Sequence, residues 1–470
     1  MRLPGGRSLA LCAALAASGC ASARDDLVGP SACVKPTVSR GTVTPNPTNV
    51  LSVRVTADVR AADSVSVRFG VGSALDSVTP AIAVSVDSVH ALVLGLLPAT
   101  TYRAQMVAFN QCGATMGDEL AFATGALPAD LPVYTGIGSR PSTGYVVFAA
   151  RSYGLVIDHT GRVVWYHRFP NGLGLNFQAQ PDGRYAARPP VATGEVASWV
   201  EIDPAGAIVR TLGCAHGLPP RMHDMLAQPD GSYWLLCDEV RTIELSSQGR
   251  SSQALVLGTD VQWRSALGEV LFEWSPFDHF DVTLSVLDPA DLAGPVINWT
   301  HGNAIDLDDD GDLLVSFRNL SEVTKIDTRT GAVVWRMGGA HNEFTFENVN
   351  GPAFAHQHGV RAAGRGRLLL LDNLGEPLGS RAERYEYNDS RRVARLSDTY
   401  VSSAGLVAQI GGSAQQLPEG RTLVSFGNGG AVEEYDAAGS VVWKLQGNPG
   451  YVFRAQRIRS LYRPGVRDPR

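Results

Sequence analysis

Three histidines hold matched places along the chain. His223, His301 and His358 each precede a turn glycine (Gly231, Gly311 and Gly366) by eight to ten residues. With only 10 His in the whole sequence, three at one register point to a shared site. A lone His on a strand is ordinarily a satisfied structural residue, and a matched set of three is harder to read that way. Arg318, at the end of the run LLVSF, adds a guanidinium. An Arg beside clustered His suits an anion, because its planar fork matches a pair of phosphate or sulfate oxygens. Metal binding is the rival: His356-x-His358 would set two imidazoles on one strand face, and imidazole is a common metal ligand. A neighbouring Arg repels a cation, however, and no Cys or acidic residue stands at ligand spacing, so the expected metal set is none. Asp306-x-Asp308-x-Asp310-Gly311 resembles the start of a calcium loop, but Phe317 occupies the position that should hold the bidentate Glu. It reads as a hairpin turn.

The elements that carry these residues repeat. A turn Gly, two β-branched or apolar residues and an aromatic recur as GRVVWYHR (161–168), GEVLFEWS (268–275), GAVVWRMG (331–338) and GSVVWKLQ (439–446). Upstream of them lie QPDG (180–183), QPDG (228–231), DDDG (308–311) and LPEG (417–420). Each unit therefore reads as four antiparallel strands, the pattern of a propeller blade. Five units begin near Asn176, His223, His301, His358 and Ser413. Residues 144–168 supply three further strands and 451–462 one, which together make a sixth unit and remove exposed sheet edges. In such an array the first strands line a central channel, so the three histidines converge there. Trp274, Trp299, Phe317 and Tyr385 are candidates to line a pocket, while the Trp of the repeated phrase should pack between units. The insert 275–298 is expected to cap the channel.

Composition agrees with a β-rich exported protein. The chain has 470 residues, 44% hydrophobic and 18% charged, with 50 Gly and a net charge of −6. That excludes a wholly disordered chain and gives no basic surface for nucleic acid. Arg2 and Arg7, a short apolar run and Ala17-Ser18-Gly19-Cys20 form an export signal. It is similar to a bacterial lipoprotein cleavage box, with Cys20 as the lipidated residue. Residues 1–20 are thus the signal and 21–34 a tether. Residues 35–125 are a β-sandwich similar to fibronectin type III, with Tyr102 at a structural corner, and 133–470 form the six-bladed β-propeller. The expected fold class is all-β. Cys33, Cys112, Cys214 and Cys237 remain in an oxidising compartment; four cysteines allow three pairings, of which proximity along the chain favours Cys33 with Cys112 and Cys214 with Cys237.

The strings MHDM (222–225), NWTHGNAIDLDDDGDLLVSFRNLSEVTKIDTRTGAVVWRMGG (298–339), HQHGVR (356–361) and LLLLDN (368–373) resemble the bacterial aryl-sulfate sulfotransferases. The resemblance implies sulfuryl transfer from a phenolic sulfate ester to a phenol acceptor by a ping-pong route through a sulfohistidine. No cofactor is implied. His358 matches the histidine that becomes sulfated. His223, His301 and Arg318 match the groups that bind the sulfuryl and assist proton transfer; Asn303 and His356 are further substrate-binding candidates. The short-range disulfide of that family has no counterpart here. A homodimer and a periplasmic or outer-membrane location are compatible with the reading. The competing functions are a non-catalytic, lipid-anchored propeller scaffold, a quinone-dependent dehydrogenase, or a hydrolase using the same site.

Overall fold

The computed structural model describes residues 33–465 except 173–175, 193–194, 286, 288, 293 and 448. The signal segment, Cys20 and most of the tether lie outside the described residues. The described chain is all-β. Its helical pieces are one short helix, Pro289–Leu292, and four 3-10 turns, and no helix is long and apolar enough to cross a membrane.

Residues 37–123 form two packed sheets. One pairs Thr37–Pro45, Ser52–Arg60 and Ser88–Leu94; the other is built on Ser64–Val71, Thr101–Asn110 and Gly113–Ala123. Ser52–Arg60 shows why. Its period-2 pattern sends Val53, Val55, Ala57 and Val59 into a core shared with Val65, Val67 and Ala104. Tyr102 accepts a hydrogen bond from the Leu97 N–H at 2.9 Å, tying the corner to backbone. Cys33 and Cys112 are joined, as are Cys214 and Cys237.

Six further sheets follow in chain order, each a meander of four antiparallel strands at its centre. The first closes with the last of the described strands: Ala455–Ile458 pairs with Tyr145–Ala150, Ala455 opposite Phe148. Two sets of contacts link one sheet to the next. At the outer edge, the Trp of the repeated phrase donates its indole N–H to a turn of the following sheet. Trp165 reaches Pro204 O (2.9 Å), Trp274 reaches Gly331 O (3.1 Å), and Trp335 reaches the Asp389 carboxylate (2.8 Å). Trp443 reaches back to His159 O (2.8 Å), from the sixth sheet to the first. These rings are fully buried, and truncating one to Ala costs about 3–5 kcal/mol. At the inner edge, polar side chains accept backbone N–H groups of the neighbouring inner strand. Gln456 takes Ala179, Gln180 takes Ala227, and Asp224 takes Ile305. Asp306 takes Ala362 and Gln415 takes Arg457. Inner strands are therefore polar because their side chains bond the adjacent strand.

Two local features differ from expectation or explain it. The Asp306–Gly311 turn is a hairpin whose acidic side chains meet Lys325: its ammonium lies 2.7 Å from Asp308, 2.6 Å from Asp310 and 3.1 Å from Asp389. Burial works to lower the Lys325 pKa, but the hydrogen bonds it donates to Asp308 and Asp310 win and hold it raised. The insert is bound to the third of these sheets. Its strand Val296–Asn298 pairs in parallel with Ala254–Arg264, and Phe277 and Phe280 pack into the core beneath. It delivers Asn298 to His301.

Candidate active site

The three histidines belong to the inner strands of consecutive sheets. His223 lies in Pro220–Ala227, where pairing slips between Pro220 and Met225. His301 stands just before Gly302–Leu307 with φ of +50°. His358 opens His358–Ala362. The rings of His223 and His301 are 4.9 Å apart. Phe453 lies between the group's two sides, 5.5 Å from the His223 ring and 6.2 Å from that of His358.

The protonation of His358 follows from its neighbours. The Asn373 amide donates to Ala408 O at 2.7 Å and Gly411 O at 2.9 Å, so its Oδ1 must face His358. That Oδ1 is 2.8 Å from Nδ1, and His356 O is 3.1 Å away. Nδ1 therefore carries the proton. Nε2 keeps its lone pair, toward which the Gly411 N–H points at 3.2 Å. His358 is buried, and burial pushes its pKa down to about 3; Arg318 adds to this and the Asn373 bond opposes it. An uncharged imidazole with an available Nε2 lone pair is a nucleophile at neutral pH.

His223 and His301 are also held well below the ordinary imidazole pKa. Burial is the largest cause for both, followed by Arg221, with Arg318 contributing; Arg188 acts on His223 as well. The Asn298 amide donates to His301 Nδ1 at 2.8 Å, so the uncharged ring carries its proton on Nε2, facing the site. The Arg318 guanidinium donates to Asn319 Oδ1 at 2.7 Å, and the Asn319 amide donates to Asn298 O at 2.6 Å. Arg318 and His301 are thus positioned by one linked set of amides. Beneath them, buried Asp224 pairs with Arg361 (3.0 Å) and Arg454 (3.1 Å). Neutral imidazoles surrounded by guanidinium groups can bind an anion and offer it a nucleophile. Among the described residues, no three His, Cys, Asp or Glu side chains are placed to hold a metal ion.

The other sequence candidates sit differently. Asn303 is fully buried: its Nδ2 donates to Gln357 O at 2.7 Å, bracing the backbone beside His358, and its Oδ1 has no hydrogen-bond partner. His356 precedes the strand with φ of +53°, so it does not share a strand face with His358, and the expected pair of imidazoles on one face is not formed. Trp274, Trp299, Phe317 and Tyr385 are fully buried between sheets and do not line a pocket. Phe453 and Tyr451 are the aromatics beside the histidines, their rings 6.3 Å apart; burial raises the Tyr451 pKa to about 12, with Arg318 opposing. Asn373, Arg221 and Asn298 were also missed. Asn373 ends LLLLDN as Asn319 ends LLVSFRN, which was the available signal. Phe453 had none, since only closure of the first sheet brings it near.

Residues 220–448 match the arylsulfotransferase (ASST) family model. No curated protein matches the chain. Among solved structures, a Bacteroides caccae protein of unknown function aligns over 68% of this chain and 100% of its own, at 14% identity and a TM-score of 0.45. Virginiamycin B lyase from Staphylococcus aureus aligns over 66% and 87%, at 10% identity and 0.35. The calcium-binding protein regucalcin from Agrobacterium tumefaciens aligns over 69% and 92%, at 16% identity and 0.31. The matched segment carries His223, His301, Arg318, His358 and Asn373, and over it the chain is similar to the arylsulfotransferase family.

Proposed function

We propose that the protein is an aryl-sulfate sulfotransferase that passes a sulfuryl group from a phenolic sulfate ester to a phenol through His358. The observation that carries this is the state of His358: uncharged, Nδ1–H tied to Asn373, Nε2 lone pair available beside Arg318. In the first half-reaction that lone pair forms an N–S bond. The S–O(aryl) bond breaks, and the phenolate leaves with its electron pair. The donor must displace the Gly411 N–H from Nε2, after which that N–H is free to meet a sulfuryl oxygen. Arg318 and Arg221 offset the charge on the oxygens as it develops. In the second half-reaction His223, uncharged and able to accept a proton, takes the acceptor's phenolic hydrogen, while His301 donates its Nε2–H to an oxygen of the bound group. The acceptor oxygen attacks sulfur and Nε2 regains its pair. Phe453 and Tyr451 supply an aromatic wall for a phenol ring.

We read the six sheets as blades of one propeller, with the preceding sandwich as a fibronectin type III-like module. We also propose that the mature protein is exported and anchored by a lipid on Cys20; the two disulfides fit an oxidising compartment. The test of the activity is nitrophenolate release from 4-nitrophenyl sulfate, with and without added phenol. Release that depends on phenol and disappears in His358→Ala supports transfer. Release without phenol indicates hydrolysis, and no release from a panel of aryl sulfates removes the reading.

A further inference from the structure

The histidines stand at one end of the inner strands. The repeated turns QPDG, QPDG and LPEG stand at the other, and the reaction above makes no use of them. Pro181, Pro229 and Pro418 of these turns line a cavity of about 740 Å³. It continues inward, past Pro181, Pro229 and Gln415, into one of about 460 Å³.

Arg457 projects into the outer cavity. It is 5% exposed and lies over the Trp443 ring. Its Nη2 donates to Glu434 at 2.6 Å, while its Nε and Nη1 have no protein partner. Gln416 lines the same wall, and its amide oxygen also lacks a partner. Leaving buried N–H groups without an acceptor is costly, the more so on a charged group. Arg421 donates to the other Glu434 oxygen at 3.0 Å. Arg459 and Arg463 are exposed on the rim, and the rim segment is tied down where Tyr462 accepts the Leu94 N–H at 3.2 Å. Four guanidiniums (Arg421, Arg457, Arg459, Arg463) face three carboxylates (Asp182, Glu419, Glu434), so 4 − 3 leaves one positive charge.

We propose that this mouth is a second ligand site, separate from the histidines, for a small hydroxylated organic anion of the sugar-acid class. The unpartnered N–H groups of Arg457 take the carboxylate, and the Gln416 amide oxygen takes a hydroxyl. A neutral sugar leaves the guanidinium unmatched, and a bare oxyanion leaves Gln416 unmatched.

The test is isothermal titration of the purified full chain with D-glucuronate, D-glucose and inorganic sulfate. One saturable equivalent of glucuronate is expected, bound more tightly than either comparator. Its affinity falls by roughly tenfold or more, about 1.4 kcal/mol, in Arg457→Gln and in Gln416→Leu. It is unchanged in His358→Ala and in the presence of 4-nitrophenyl sulfate. Arg457→Gln uncovers Glu434, so its folding is checked by thermal unfolding; Gln416→Leu touches no ion pair and decides the matter if the first variant does not fold. No binding overturns the proposal, as does equal binding of glucose or of sulfate. Loss in His358→Ala, or competition by 4-nitrophenyl sulfate, moves the ligand to the histidines and also overturns it. None of these readouts depends on sulfuryl transfer, so the two readings fail separately.

Discussion

Asn373→Asp tests the central claim about His358, because it keeps the acceptor on Nδ1 and adds a charge. The new carboxylate would sit where Oδ1 now lies, 2.8 Å from Nδ1. With charge centres about 4 Å apart and an effective dielectric constant of about 20, the attraction to an imidazolium is about 4 kcal/mol. At 1.36 kcal/mol per unit that is about 3 pKa units. His358, now at about 3, would therefore titrate at about 6, coupled to the new carboxyl. A protonated imidazole cannot attack sulfur. The assay is kcat/KM for 4-nitrophenyl sulfate between about pH 4 and pH 9, whose limbs report groups of the free enzyme. Wild type should show no acid limb from His358 in that range. The variant should lose activity about tenfold per unit below about pH 6. Ala408 O and Gly411 O lose their donors, at about 1–3 kcal/mol each, so folding must be confirmed by thermal unfolding. Asn373→Ala, without the charge, should lose activity at every pH and gain no limb. A folded Asn373→Asp whose profile superposes on wild type would refute the assignment of His358 as the uncharged nucleophile.

Three further outcomes are expected. The native His358 takes up its proton far below the unfolded imidazole value of about 6.5, so stability is full above pH 6.5 and falls as pH drops from there toward 3, by about 1.4 kcal/mol per unit. Denaturant unfolding at pH 6.5 and pH 5 should cost wild type about 2 kcal/mol more than His358→Gln, and equal losses would show that the fold does not keep this ring neutral. Phe453→Ala should destabilise by about 3–5 kcal/mol; Phe453→Leu should keep most of that stability yet raise KM for aryl donors, and a KM unchanged in the Leu variant removes the aromatic wall. Lys325→Met should cost about 3–5 kcal/mol in thermal or chemical unfolding, because buried Asp308 loses its cation; a neutral effect would mean that the acidic turn does not depend on Lys325.

The repeating units were readable because their signals are local. A turn glycine, a period-2 run and a terminal Trp specify one hairpin after another, and the Trp then fills the space between sheets. The inner strands were readable as polar but not for their purpose. Gln180, Asp224 and Asp306 accept neighbouring backbone N–H groups, a use that depends on the next sheet's register. His356 misled because one residue with φ of +53° breaks the two-residue period just before the strand. Asn373 was half readable, as the end of a repeated string. Its orientation is set by Ala408 and Gly411, 35 and 38 residues further on. Trp274, Trp299, Phe317 and Tyr385 misled for the opposite reason: large aromatics are worth most as core, and all four are spent there.

The electrostatics of the site set the charge states on which the proposed transfer depends. A nucleophilic imidazole must be unprotonated, and an anionic donor needs cations close by. Arg318 meets both demands, since the guanidinium that would bind the sulfate ester also lowers the His358 pKa. Arg221 and Arg318 do the same to His223 and His301, so all three rings are uncharged in the free protein. An aryl sulfate bound among them would bring one negative charge and cancel part of that positive field. In the proposed route the phenolate takes that charge away with it, since the group left on His358 is SO3 on an imidazole that was itself uncharged. His223 is then again a weak base, so the acceptor's proton must move to it as the new S–O bond forms rather than before.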